Sequence, residues 1–362
     1  MTIPVTKPFL PPQSEYQSYV DGIWQREWLT NHGPLVTRLE DELQKELGVS
    51  GLVYVSNGTI ALQLAIKALR LKGKVITTAF SYVATTSSLV WEGCEPVMAD
   101  IDPHSLNIDP RSIERLITED TTGIMATHVY GNPCDVDAIE KIAGRHNLKV
   151  IYDGAHAFGT KVRGKSVFEF GDASTASFHA TKLFHTVEGG AVMSSDKATV
   201  ARVSELRNFG HVSSLAFGEA GINGKNSEFH AAMGLCNLKY IRQILEQRKS
   251  LSLYYEERLS KTIQRPRLLS GASFNFAYYP ILLQTAKVCE RVVERLNQFS
   301  IYPRRYFFPA LSALPYVLQE ASTPISVDAA SRVLCLPLYH TLSFEEIDLV
   351  ARLVNEEAES SS

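Results

Sequence analysis

Hydrophobic positions divide this chain into three stretches with different periods. Leu35, Leu39, Leu43 and Leu47 recur every four residues, so one face of a helix is apolar there and must dock on something larger. Pro34 suits the first turn of that helix and Gly48 ends it. Ahead of it, the chain up to Pro12 reads as extended. Trp24, Trp28 and the turn Asn31-His32-Gly33-Pro34 read as a lead-in to the first clear helix. From about residue 51 to 200 short runs rich in Val, Ile and Tyr alternate with helical stretches. Leu52 to Val55, Lys74 to Thr77, Pro96 to Ala99, Gly123 to Val129, Lys149 to Asp153 and Ser174 to Phe178 are predicted strands. Ala61, Leu62, Ala65, Ile66 and Leu69 give the helix after the first strand its apolar face. This pattern predicts a mainly parallel sheet covered by helices, which takes ligands at the carboxyl ends of its strands.

In the third stretch, Ser227 to Leu259 reads as one long helical spine leading to a smaller α+β part. Phe276 to Leu283 and Arg332 to Leu336 are its predicted strands. Ser343 and Glu346 form a capping box before a last helix, and the final Glu359-Ser360-Ser361-Ser362 reads as frayed. The expected division is residues 1–235 for the N-terminal segment and large domain, and 236–362 for the linking helix and small domain.

Composition narrows the function classes. A chain of 362 residues with 45% hydrophobic and 21% charged residues and a net charge of -3 has the make-up of an ordinary soluble globular protein, with no basic footprint for nucleic acid. Cys94, Cys134, Cys236, Cys289 and Cys335 are odd in number and scattered, which fits reduced thiols rather than a metal site or disulfide framework. No apolar run reaches the length of a bilayer span, and the amino terminus has no basic patch followed by an apolar stretch. The expectation is a cytoplasmic protein that works without a membrane.

The chemistry concentrates at two strand ends. Asp153 closes the run Val150-Ile151-Tyr152-Asp153, where a buried carboxylate is costly unless it meets a cation; His156 follows three residues later. Lys182 sits in Ala176-Ser177-Phe178-His179-Ala180-Thr181-Lys182, ahead of Glu188-Gly189-Gly190. An acid for a pyridine nitrogen and an amine for a Schiff base are what a pyridoxal phosphate enzyme requires. Taken singly, the acid is also what caps a helix in many α/β loops, and the lysine is what a surface carries. Asn57-Gly58-Thr59 lies at a strand-to-helix junction suited to phosphate, with the Ser177 hydroxyl as a further candidate. Tyr82 is placed to stack on a ring in preference to Phe80. No Gly-x-Gly-x-x-Gly follows Val55, which argues against a nicotinamide-dependent oxidoreductase.

Together with Leu29-Thr30-Asn31-His32-Gly33-Pro34, Val129-Tyr130-Gly131-Asn132-Pro133, Gly221-Ile222-Asn223-Gly224-Lys225 and Arg304-Arg305-Tyr306-Phe307-Phe308-Pro309, these motifs resemble the DegT-type pyridoxal-phosphate nucleotide-sugar aminotransferases. The likeness runs over nearly the whole chain. It implies fold type I of the aspartate aminotransferase superfamily: an α/β large domain with a mainly parallel seven-stranded sheet, plus a smaller C-terminal α+β domain. By the same resemblance Lys182 carries the cofactor as a Schiff base, Asp153 pairs with its ring nitrogen, and His156 contacts its ring hydroxyl. Tyr82 stacks on the ring, while Gly58, Thr59 and Ser177 hold the phosphate. Asn223 joins them from the opposite subunit, which implies a homodimer with shared active sites. Gly154 stands where the family commonly has alanine, and Asn57 where serine is frequent.

The implied reaction moves an amino group from L-glutamate to a nucleotide-linked keto sugar. The string Ser177 to Ala191 is most similar to enzymes acting on dTDP-4-keto-6-deoxy-D-glucose, whose products feed O-antigen and related surface glycans. His185, Glu188, Lys225 and Arg305 are candidate contacts to the sugar or its diphosphate. GDP-linked or galacto-configured products, and a non-catalytic regulator on the same fold, are the competing readings; the stereochemistry at C4 stays open.

Overall fold

The computed structural model describes residues 2–318 and 322–359. Its centre is a seven-stranded sheet built from β1 (Leu52–Val55), β2 (Lys74–Thr78), β3 (Glu95–Ala99), β4 (Thr121–Thr127), β5 (Lys149–Asp153), β6 (Ala173–Ser177) and β7 (Gly190–Met193), in the spatial order β1-β7-β6-β5-β4-β2-β3. All neighbours are parallel except β7, which runs antiparallel to β1 and β6. The strands are buried on both sides because both sides are covered. In β5, Val150 and Tyr152 belong to one core and Ile151 to the other.

The first face carries α2 (Pro34–Leu47), α5 (Pro110–Leu116), α6 (Val136–His146) and α8 (Glu228–Leu238); the second carries α3 (Gly58–Ala68), α4 (Val83–Trp91) and α7 (Lys197–Arg207). The leucine stripe of α2 is buried as its spacing predicts, each side chain contributing about 2 kcal/mol by removal from water. Gly48 ends that helix at a φ of 64°, in the left-handed region that glycine enters without a steric penalty.

Four expectations need correction. A helix, α1 (Gln13–Arg26), precedes α2; Ile23 is its one buried residue, so it presents no apolar stripe to a reader of the sequence. The spine is two helices, because α8 stops at Leu238 and α9 (Ile241–Arg258) restarts after Lys239 and Tyr240. Both residues at the break bind Glu15 of α1, Lys239 through an ion pair at 2.6 Å and Tyr240 through its hydroxyl. The strand expected over Gly123 to Val129 begins two residues earlier and ends at Thr127, where Val129 to Gly131 turn instead. Finally, β8 (Tyr279–Leu282) is half the length expected for Phe276 to Leu283.

A second core gathers α9, α10 (Ala286–Gln298) and α12 (Phe344–Glu359) against β8 and β9 (Val333–Leu336), which pair antiparallel; α11 (Pro324–Arg332) packs alongside α10. The capping box before α12 forms as predicted, Ser343 N–H donating to Glu346 Oε2 at 2.9 Å and Glu346 N–H to Ser343 Oγ at 3.2 Å. Ser360 to Ser362 of the expected frayed tail lie outside the described residues. The amino-terminal segment is fastened to this core, and its Phe9 carbonyl reaches His185 beyond it. Ile3–Pro4 pairs in parallel with Ile301–Tyr302, and the Val5 carbonyl accepts from Leu338 N–H at 3.0 Å. No helix among the described residues is long and apolar enough to cross a membrane.

Candidate active site

The carboxyl ends of the parallel strands and the start of β7 converge on a cavity of about 610 Å³. Register sets what faces it. Thr127 lies opposite Asp153, Asp153 opposite Thr175, and Gly190 opposite both Ser177 and Val55.

At the β1 end, Asn57 caps α3 by accepting from Ile60 N–H at 2.9 Å. The N–H groups of Gly58 and Thr59 have no intrahelical partner at that position and sit at the positive end of the helix dipole. Gly58 presses on Ser177, so a Cβ at Gly58 would lie 2.8 Å from Ser177 Cβ. Glycine is therefore required for the serine hydroxyl to stand beside the helix N-terminus.

Asp153 is buried. Its Oδ2 accepts from Thr85 Oγ1 at 2.7 Å and its Oδ1 from Ala155 N–H at 3.1 Å. Behind Thr85, Ser81 Oγ lies 2.7 Å away and accepts from Thr127 Oγ1 at 3.0 Å. No cation among the described residues forms an ion pair with this carboxylate, so it faces the cavity with charge to spare. Gly154 explains the departure from alanine: a Cβ there would meet the Phe168 ring at 2.5 Å and the Thr175 carbonyl at 2.9 Å.

His156 is buried with its ring stacked on Phe307 at 5.5 Å, and its Nδ1 has no hydrogen-bond partner. Burial, reinforced by Lys182, holds its pKa well below the usual histidine range and keeps it neutral. The loop after β6 turns through a 2.8 Å hydrogen bond from Lys182 N–H to the His179 carbonyl. Lys182 Nζ then donates to the Tyr278 hydroxyl at 3.4 Å. Burial brings the Lys182 pKa down to about 8, against the opposing pull of Asp153 and Tyr82. Tyr82 stands at the cavity mouth, 57% exposed, whereas Phe80 is sealed in the core against Tyr130 and Phe307.

The cavity thus brings together Gly58, Thr59, Tyr82, Asp153, His156, Ser177 and Lys182. Glu188 also lines it, 3.5 Å from His179. His185 does not: its Nε2 lies 2.7 Å from the Phe9 carbonyl and its own carbonyl accepts from Asn237 Nδ2 at 2.9 Å. Lys225 donates to Asn208 Oδ1 at 2.8 Å, and Arg305 donates to the Ser331 carbonyl at 2.6 Å; neither lines the cavity, nor does the exposed Asn223. Sequence reasoning missed Thr85, Ser81 and Thr127, whose signal was hydroxyls at apolar strand and helix ends. It also gave no site role to Tyr278, Tyr306 and Phe307: the last two fall in the Arg304 to Pro309 motif, whereas Tyr278 comes from far along the chain without a local signal.

Comparison with known proteins then places the chain. Residues 12–355 match the model of the DegT/DnrJ/EryC1/StrS aminotransferase family. A protein of Shigella dysenteriae named dTDP-4-amino-4,6-dideoxy-D-glucose transaminase is 42% identical, covering 97% of this chain and 98% of that one. GDP-perosamine synthase of Escherichia coli O157:H7 is 30% identical over 98% of each chain. Among solved structures, DesI in the presence of its TDP-sugar product superposes with a TM-score of 0.95 at 32% identity, covering 99% of this chain and 94% of that one.

The family's enzymes depend on pyridoxal 5'-phosphate, and the residues present fit that group. The buried, cation-free Asp153 suits a protonated ring nitrogen, the orphaned Nδ1 of His156 suits a polar ring substituent, and the glycine-walled cradle at α3 suits a phosphate. With the fold, the cavity and the relatives in agreement, the chain belongs to the DegT/DnrJ/EryC1/StrS aminotransferase family.

Proposed function

We propose that this enzyme transfers the amino group of L-glutamate to C4 of dTDP-4-keto-6-deoxy-D-glucose, giving dTDP-4-amino-4,6-dideoxy-D-glucose. The observation that carries the reaction class is the meeting of Asp153, Lys182 and the α3 phosphate cradle in one cavity. The substrate rests on the 42% identity to the Shigella dysenteriae transaminase, against 30% to the GDP-perosamine synthase.

When bound, pyridoxal phosphate supplies a carbonyl that exchanges with amines and a ring that accepts electrons. Asp153 would pair with the ring nitrogen and favour its protonated form, and Thr85 with Ala155 fixes which way the carboxylate points. Gly58 and Thr59 N–H groups and the Ser177 hydroxyl would hold the phosphate. The neutral His156 would meet the ring hydroxyl, and Tyr82 would cover the mouth. Lys182, with a pKa near 8, has a usable neutral fraction at neutral pH, so Nζ can take the proton from the α-carbon of glutamate and hold it as an ammonium.

A second copy of the chain completes the site in this proposal. Asn223 is exposed and does not line its own chain's cavity, on a loop beside a hairpin (His211–Ser213 with Ala216–Phe217) that exposes Val212, Leu215 and Phe217. Covering those side chains against a partner would carry Asn223, and Lys225 near it, toward the partner's cavity. Residues 1–235 would carry the cofactor and residues 236–362 would close the sugar side.

The test is the visible spectrum of the protein loaded with pyridoxal phosphate, before and after L-glutamate, beside Lys182→Ala. The expected result is a band that glutamate removes in the wild type and that Lys182→Ala lacks. Turnover of the dTDP keto sugar in preference to its GDP-linked manno counterpart fixes the substrate. A band indifferent to glutamate overturns the donor, and preference for the GDP sugar overturns the acceptor.

A further inference from the structure

One wall of the cavity is built by Tyr278, Tyr306 and Phe307, residues with no part in the chemistry described so far. Among them, Tyr278 has the closest tie to a reacting atom. Its hydroxyl is the one hydrogen-bond partner of Lys182 Nζ among the described residues, and its ring meets the His156 ring edge-on at 4.8 Å.

The segment that delivers Tyr278 is irregular and heavily fastened. Asn275 Nδ2 donates to the carbonyls of His156 at 2.7 Å and Phe158 at 3.0 Å, and its Oδ1 accepts from Ala277 N–H at 3.1 Å. Gly131 makes room for this amide, since a Cβ there would lie 2.4 Å from Asn275 Oδ1. From the other side, Arg248 of α9 donates Nε to the Phe276 carbonyl at 2.9 Å and Nη2 to the Ala277 carbonyl at 2.5 Å. Arg248 is 5% exposed, and no carboxylate among the described residues pairs with it. Burying a guanidinium without a counter-ion opposes folding, so a fixed backbone just before Tyr278 is what this arrangement obtains in return.

We propose that Tyr278 is a catalytic residue that holds the Lys182 amine between its proton transfers, with Arg248 and Asn275 as the residues that position it. The inference rests on the reading of Lys182 as proton carrier. A neutral phenol accepts a hydrogen bond from an ammonium and donates one to an amine, so it serves both protonation states of Nζ without exchanging a proton itself. Burial pushes the Tyr278 phenol up, keeping it neutral, although the Arg248 charge opposes that rise. The other titratable groups acting on Nζ are Asp153 and Tyr82, while His156 is neutral.

The experiment measures Lys182 itself. In the full-length chain without cofactor, the rate of Lys182 acetylation by acetic anhydride is followed across pH by peptide mass spectrometry. In parallel, the glutamate half-reaction of the loaded protein is timed by stopped-flow absorbance. Tyr278→Phe, which removes one oxygen and leaves the ring packed, is expected to lower the acetylation midpoint by about one pH unit. It is also expected to slow the half-reaction about tenfold, with the KM for glutamate within about twofold. Arg248→Lys, which keeps the charge, is expected to move both readouts the same way by less. Tyr278→Phe curves that overlay the wild type overturn the inference while the reading of Lys182 stands. A Lys182→Ala protein whose visible band still responds to glutamate overturns the reading and the inference together.

Discussion

Two enclosed carboxylates in this molecule use their oxygens differently. At the junction of α2 and α8, Glu228 is fully buried and accepts from Leu35 N–H at 2.9 Å and from Val36 N–H at 2.9 Å, so it sits on the positive end of α2. Gly33 leaves space for it, since a Cβ there would lie 2.6 Å from Glu228 Cδ. At the cavity floor, Asp153 is held by Thr85 and Ala155 but looks into open volume. An enclosed acid is therefore not by itself a sign of chemistry; an acid with capacity left over, facing a cavity, is.

The comparison can be broken by swapping which property each acid controls. On the proposed roles, Asp153→Asn slows the glutamate half-reaction by about 10³-fold and Lys182→Ala abolishes it, each with a melting temperature close to wild type. Stopped-flow absorbance and thermal melts check this, and a melting loss matching that of a Glu228 variant would erase the distinction. Glu228→Gln is expected to destabilise the fold by about 3 kcal/mol in urea titrations, through loss of a charged acceptor for two helix N–H groups. The molecules that remain folded should keep a normal glutamate response.

A smaller effect concerns Lys182 in the unloaded protein. Its folded pKa of about 8 lies below the ordinary 10.5, so between those values the unfolded chain binds more protons and stability rises with pH. Lys182→Met should accordingly be more stable than wild type at pH 7, by about 2 kcal/mol after allowing for water in the cavity, with the gap closing from pH 8 toward 10.5. Chemical denaturation across that range measures it, and a gap constant with pH would contradict it. Smallest is Gly58→Ala, where the methyl group pushes on Ser177: pyridoxal phosphate binding should weaken about tenfold, as equilibrium dialysis would show, for about 1 kcal/mol of stability.

How much of this could be read from the chain follows from how local each cause is. β1 and β5 fall on their predicted residues because short Val/Ile/Tyr runs buried on both sides have no competing period. β7 was absent from the predicted strands, as its four residues begin on the second glycine of a pair and owe their place to β1 and β6. Asp153 and Lys182 were legible as strand-end chemistry. Tyr278 was not, because 96 residues separate it from Lys182 and the sheet topology alone unites them. His185 shows the converse: it lies three residues from Lys182, but faces Phe9 and Asn237 in a stretch, Leu183 to Thr186, that is buried throughout.

The amino-terminal segment has a mechanical consequence. Within seven residues it hydrogen-bonds beside Ile301, at Leu338 and, through the Phe9 carbonyl, at His185 in the loop that carries Lys182. It behaves as a tension member strung between the second core and the catalytic loop. A force applied at the first residues, by a surface tether or an optical trap, would pull on that loop before it reached the sheet.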